Sequence, residues 1–168
     1  DGIRGTVGVL PITEAFLTLL GQALGYWLCQ EGHSKVLIGR DTRESGIVLE
    51  NALIAGLIQQ GIEIVSIGVA TTPMVAYLTK AWGAHLGVVI SASHNPYTDN
   101  GLKFFSQEGT KLNDAFELAI ELLLAHPSQN IDCKQSGQVL TRPEANATYV
   151  DFCLSLFPQL SLKDFKIV

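Results

Sequence analysis

The sequence predicts an α/β domain with a mixed, largely parallel sheet and helices on both of its faces. Three observations predict it. Short apolar runs of strand length alternate with longer segments whose apolar residues recur at helical spacing. The short runs are nearly continuous in Val, Ile and Leu, as strands covered on both faces require. Glycine, proline and capping residues stand where the alternation must turn. Strand followed by helix, repeated, packs as a sheet with helices laid across it.

Thr13 and Glu14 read as an N-cap and first turn, and Phe16, Leu17, Leu20, Leu24, Tyr26, Trp27 and Leu28 continue the helix until Gly32. Val36 to Gly39 is a buried strand. Ser45 to Gln60 returns to helix, with Val48, Leu49, Leu53, Leu57 and Ile58 on one broad face and Gly61 as the stop. Ile62 to Gly68 is the second strand, and Pro73 to Trp82 a shorter helix with proline in its first turn. Leu86 to Ser91 is the third strand, Leu102 to Ser106 the fourth beyond a polar loop, and Asn113 to Ala125 a helix. From His126 to roughly Glu144 the chain turns rich in Ser, Gln, Asn and Gly and reads as a linker. Ala145 to Phe157 is helical. Phe165 to Val168 has the character of a strand just begun, so residues 1–144 are expected to form one domain and 145–168 the connection to a second.

The 168 residues suffice for a core, and 47% hydrophobic with 16% charged residues suits a packed globular chain. A net charge of −5 argues against general binding to nucleic acid, which needs a basic face. No apolar run approaches the roughly 20 residues that span a bilayer. No leader opens the chain, so a cytoplasmic protein is expected, and the start at Asp1 suggests a trimmed N-terminus. Cys29, Cys133 and Cys153 are odd in number and fit no zinc spacing, which points to reduced thiols.

The stretch from Ser91 through Ser93, His94, Asn95 and Pro96 to Asp99, Asn100, Gly101 and Lys103 follows an apolar strand. Ligands in open α/β sheets bind beyond such strand ends. Pro96 holds Asn95 in extended or turn geometry, and Asn100-Gly101 is expected to turn the chain back toward Lys103. A hydroxyl, an imidazole and an ammonium can then surround one small anion. A Ser-His hydrolase would need a Gly-x-Ser-x-Gly elbow, which is absent. His33, His85 and His126 have no partners at metal spacing and read as packing or surface residues.

Ser91-Ala92-Ser93-His94-Asn95-Pro96 resembles the phosphoserine loop of the α-D-phosphohexomutases. Asp1-Gly2-Ile3-Arg4-Gly5 is similar to that family's N-terminal motif, and Gly39 to Gly46, with Arg40, Asp41 and Arg43, to its Gly-x-Asp-x-Arg turn. The segments Asp99 to Ser106 and Glu108 to Leu112 look most like the bacterial phosphoglucosamine mutases. The resemblance covers residues 1 to about 125.

The resemblance implies an intramolecular phosphotransferase of the isomerase class, acting through a phosphoserine and a sugar bisphosphate, here on glucosamine phosphate. It implies that Ser93 carries the phosphate and gives one oxygen to magnesium. Lys103 manages the proton of the attacking or leaving oxygen, Arg4 contacts the phosphoserine, and His94 sits beside it. Arg40 and Arg43 are left between a site role and a structural one, with Asp41 pairing an arginine. The resemblance further implies that other domains of the same polypeptide bring an Asp-x-Asp-x-Asp magnesium loop, a sugar-recognition loop and a phosphate grip. No Asp-x-Asp occurs here, so residues 1–168 alone are expected to be inactive. Mannose or glucose phosphate as substrate, and a non-catalytic phosphosugar-binding module, remain the alternatives. A transferable Ser93 hydroxyl beside Lys103 speaks against the module.

Overall fold

The apolar runs form strands buried on both faces, and the helical segments cover them in two layers. A computed structural model describes residues 2–126, 136–163 and 165–166. In chain order the elements are β1 (Ile3–Thr6), α1 (Glu14–Gln30), β2 (Lys35–Arg40), α2 (Ser45–Gln59), β3 (Glu63–Val69), α3 (Thr72–Ala81), β4 (Leu86–Ile90), β5 (Asp99–Ser106), α4 (Asp114–Ala125), β6 (Gln138–Thr141) and α5 (Ala145–Ser155). The sheet runs β1-β5-β4-β2-β3-β6. β4, β2, β3 and β6 are parallel to their neighbours in that series, whereas β5 runs antiparallel to both β4 and β1. The predicted class, mixed and largely parallel with helices on both faces, describes this sheet.

Alternation along each strand divides the core. Val36 and Ile38 of β2, Ile64 of β3, and Leu86, Val88 and Ile90 of β4 pack under α1, α2 and α4. Leu37, Val65 and Val89 face the other way, onto Met74, Val75 and Leu78 of α3 and Ala145 of α5. Successive side chains point to opposite faces of a strand, so each run must be apolar throughout. The cap expected at Thr13 forms, its Oγ1 accepting from the Phe16 amide at 3.2 Å, and Asn113, expected as the first helical residue, instead caps α4, its Oδ1 accepting from the Phe116 amide at 3.0 Å.

Three expectations are corrected. The opening motif is not only a motif: Ile3 to Thr6 is an edge strand, β1, paired with β5. Part of the predicted linker is also strand, since Gln138 to Thr141 pair in parallel with Glu63 to Ser66. Both strands are four residues long and neither has a fully buried residue, so neither carries a buried strand's apolar run. The remainder of that linker, 127–135 with Cys133, lies outside the described residues. Third, Asn100-Gly101 is no turn. Both residues belong to β5, opposite Gly5 and Arg4. The buried Asn100 amide donates to Ser45 Oγ at 2.9 Å while its oxygen accepts the Gly101 amide at 2.8 Å, which replaces turn formation with anchoring to α2.

α5 ends two residues before the predicted Phe157 and returns to α3, where the Tyr77 and Phe152 rings stack at 3.8 Å. Phe165 and Lys166 form no strand, and Ile167 and Val168 lie outside the described residues. Cys29 and Cys153 are half-buried cysteines outside any disulfide, and Cys29 Sγ donates to the Gln60 carbonyl at 3.1 Å. His33 and His85 stack on each other at 4.4 Å, a packing role. Among the described residues no helix is long and apolar enough to cross a membrane.

Candidate active site

The parallel strands deliver their C-terminal ends to one edge of the sheet. The connection after β2 leads to α2 on one face and that after β3 to α3 on the other, so the chain opens a crevice there. A cleft of about 1060 Å³ occupies it, lined by Asp41, Arg43, Thr71, Thr72, Ser91 and Ser93 among others.

Ser93 stands at the tip of the loop that leaves β4. Ala92, fully buried, anchors the loop's base, and the Ser91 hydroxyl accepts the Ser93 amide at 3.1 Å. Asn95 N–H closes a turn onto the Ala92 carbonyl at 3.1 Å. Within this turn Ser93 takes a φ of 58°, the left-handed region that few residues other than glycine adopt. Its side chain is exposed. His94 Nδ1 lies 3.5 Å from Ser93 Oγ, at the outer limit of a hydrogen bond, which fits no nucleophile–base dyad.

The rest of the loop is tied inward. Asp99 accepts from the Asn95 side chain at 3.0 Å and from the Thr6 hydroxyl at 3.1 Å, joining the loop to β1. Arg43 reaches beneath it, donating to four of its backbone carbonyls and to Asp41. Arg40 lies elsewhere. It pairs with buried Glu50 at 3.0 Å, and Glu50 also accepts from the Ser66 hydroxyl at 2.7 Å, so Arg40 joins α2 to the sheet. Asp41 does pair an arginine, and that arginine is Arg43.

Arg4 and Lys103 share a second cleft of about 290 Å³, in which Thr72 also takes part. Register explains their meeting. Arg4 pairs with Gly101, and Lys103 with Val89, whose side chain faces α3. Directly opposed residues and residues two apart share a face, so both cations leave the sheet on the α3 side. Gly101 is small because Arg4 lies over it: a Cβ there would stand 2.9 Å from Arg4 Cγ and 2.5 Å from the Ile3 carbonyl oxygen. Among the described residues neither Arg4 nor Lys103 has a hydrogen-bond or carboxylate partner for its charged group. Ser93 lines the larger cleft and the two cations the smaller, and Thr72 at the start of α3 borders both. His94 borders neither.

Sequence reasoning missed Thr72 and underweighted Arg43. Thr72 could have been found as the residue opening a helix after a parallel strand. Arg43 showed only its Asp-x-Arg spacing, which does not reveal what the guanidinium reaches.

The family model for phosphoglucomutase/phosphomannomutase, alpha/beta/alpha domain I, matches residues 1–130. The chain belongs to the phosphoglucomutase/phosphomannomutase family. It is 53% identical to the phosphoglucosamine mutase of Actinobacillus succinogenes and 50% identical to that of Aeromonas hydrophila, in each case over 100% of this chain and 38% of the relative. The chain thus spans well under half the length of these relatives. A crystal structure of a phosphoglucomutase/phosphomannomutase family protein from Burkholderia thailandensis superposes with a TM-score of 0.79 at 24% identity, over 92% of this chain and 34% of that one, and shares the fold.

A family of this kind implies magnesium. The described residues do not make a magnesium site on their own: no three of His, Cys, Asp and Glu gather anywhere among them. Two carboxylates that brace the Ser93 loop are engaged, Asp41 with Arg43 and Asp99 with Asn95 and Thr6. Magnesium requires several oxygens in near-octahedral array, and a hydroxyl alone cannot supply them.

Proposed function

We propose that this chain is the phosphoserine-bearing domain of a phosphosugar mutase that interconverts glucosamine 6-phosphate and glucosamine 1-phosphate. The carrying observation is the exposed Ser93 hydroxyl, presented on a left-handed turn next to a cleft holding Arg4 and Lys103, two cations without a partner among the described residues. Relatives named phosphoglucosamine mutase at about half identity support the choice of sugar.

Phosphoryl transfer needs positioned positive charge more than covalent help. In the forward half-reaction the bond from phosphorus to Ser93 Oγ breaks as a bond to the sugar hydroxyl oxygen forms. The hydroxyl's proton passes by way of Lys103 to the Ser93 oxygen, which leaves with the bonding pair. Arg4 stabilises charge on the transferring oxygens. The resulting bisphosphate turns over and returns its other phosphoryl group to Ser93 by the reverse step. His94 sits beside the phosphoserine. A phosphorylated Ser93 would give magnesium one oxygen, with the remaining ligands and the sugar grip supplied by other domains of the polypeptide. Residues 145–168 then serve as the connection to those domains.

The test is turnover of glucosamine 6-phosphate by the polypeptide that carries this chain with the family's remaining domains, supplied with magnesium and a hexose bisphosphate. Conversion that vanishes in Ser93→Ala is expected. Faster turnover of mannose 6-phosphate or glucose 6-phosphate would move the assignment to that sugar, and phosphosugar binding without turnover would favour a binding module.

A further inference from the structure

One guanidinium organises the loop that presents Ser93. Arg43 Nη1 donates to the carbonyls of Pro96 at 2.6 Å and Asp99 at 3.1 Å, and Nη2 to those of Ser93 at 3.1 Å and Asn95 at 2.8 Å. Nε donates to Asp41 Oδ2 at 3.1 Å, and the other Asp41 oxygen accepts the Arg43 backbone amide at 3.0 Å. An arginine side chain has five N–H donors, and each of the five contacts needs one. The side chain is only 12% exposed. A guanidinium so committed has nothing left to offer a phosphate.

The inward-facing carbonyls have a consequence for the outer side of the loop. A trans peptide points its C=O and N–H in opposite directions. With the Ser93 carbonyl turned down onto Arg43, the His94 amide on the same peptide plane is turned outward. Among the described residues it makes no hydrogen bond. The same carbonyl contact fixes ψ of Ser93, the residue held at a φ of 58°.

We infer that Arg43 is a positioning residue for phosphoryl transfer: by gathering four loop carbonyls it holds Ser93 in its left-handed conformation and aims the His94 N–H toward the group carried on Ser93. This rests on the phosphoserine reading proposed above. Lysine is no substitute, since an ammonium has three donors and no planar fork.

The experiment compares Arg43→Lys, Asp41→Asn and Ser93→Ala in the same multidomain polypeptide, by steady-state kinetics with glucosamine 6-phosphate and by thermal melts. In Arg43→Lys, kcat falls by about 10²-fold, the scale of a misplaced reacting group, while KM stays within about threefold. The melt remains cooperative. Asp41→Asn keeps the guanidinium but removes the carboxylate charge and one of the two oxygens that accept from Arg43, and lowers kcat by a smaller factor with KM again unchanged; it decides the matter if Arg43→Lys fails to fold. Wild-type kcat in both Arg43→Lys and Asp41→Asn, with Ser93→Ala inactive, overturns the inference and leaves the phosphoserine reading standing. A loss of activity that only tracks the unfolded fraction overturns it too. Turnover surviving in Ser93→Ala sinks both.

Discussion

A single methyl group at position 101 couples the stability of the sheet edge to the chemistry. In Gly101→Ala the new Cβ would stand 2.5 Å from the Ile3 oxygen, 2.9 Å from Arg4 Cγ and 3.2 Å from the Ser91 oxygen. The first is about 1 Å inside an ordinary contact of roughly 3.5 Å. Two of these atoms are backbone, so a side-chain rotation cannot relieve the clash. The partner free to move is β1, which among the described residues pairs with β5 alone. Opening that pair costs about 1–3 kcal/mol, the usual range for overpacking. At about 2–4 °C per kcal/mol for a domain of this size, Tm should fall by roughly 2–12 °C. Arg4 rides on β1, so a shift near 1 Å should also lower kcat by about 10²-fold in protein that remains folded. Gly56→Ala is the control. Its Cβ would run into the Thr18 carbonyl oxygen where α2 crosses α1, which should lower Tm and leave kcat of the folded protein unchanged. Melts and turnover on the two variants decide. Normal turnover in Gly101→Ala, or an equal loss of kcat in Gly56→Ala, would refute the coupling of β1 to the site.

Other variants test separate parts of the account. Lys103→Ala should lose about 10²-fold or more in turnover with its melt unchanged, and Lys103→Arg should recover part of it, keeping the charge but yielding protons far less readily; near-normal rates in both would make Lys103 a bystander. Glu50→Gln keeps a partner for Ser66 but removes the charge facing Arg40, and should lower stability by about 1–3 kcal/mol in denaturant titrations. Burial, and then the charges of His33 and Lys35, hold His85 below its ordinary pKa of 6.5. The unfolded chain therefore binds the proton first: stability is full above about 6.5, falls as pH drops from there toward the lower folded value, and then levels. His85→Asn, which keeps an acceptor for the Ser34 and Lys35 amides, should flatten melting temperature against pH across that window; an unchanged slope would assign it to other groups.

How much of this was legible in the sequence follows from which forces act locally. β2, β3 and β4 and the helices α1 to α5 are long or apolar enough to declare themselves, and the caps at Thr13 and Asn113 are short-range hydrogen bonds. β1 and β6 depend on partners distant in sequence and carry no apolar run, so pairing alone makes them strands. Asn100-Gly101 has the composition of a turn, yet burial of Asn100 against Ser45 and the passage of Arg4 over Gly101 place it in a strand. Ser93, His94, Arg4 and Lys103 were singled out by motif resemblance. The separation of Ser93 from the Arg4–Lys103 cleft, and the reach of Arg43 to carbonyls some 50 residues along the chain, are set by tertiary packing that no local spacing encodes.

The central claim is that Ser93 Oγ is the atom that carries the transferable phosphoryl group. Peptide mass spectrometry of the freshly purified multidomain polypeptide, before and after incubation with a hexose bisphosphate, tests it most directly. The account predicts phosphate on the peptide containing Ser93, increased by the bisphosphate, depleted by excess glucosamine 6-phosphate and absent in Ser93→Ala. Phosphate confined to Ser91 or Ser106, with Ser93→Ala still fully active, would contradict it.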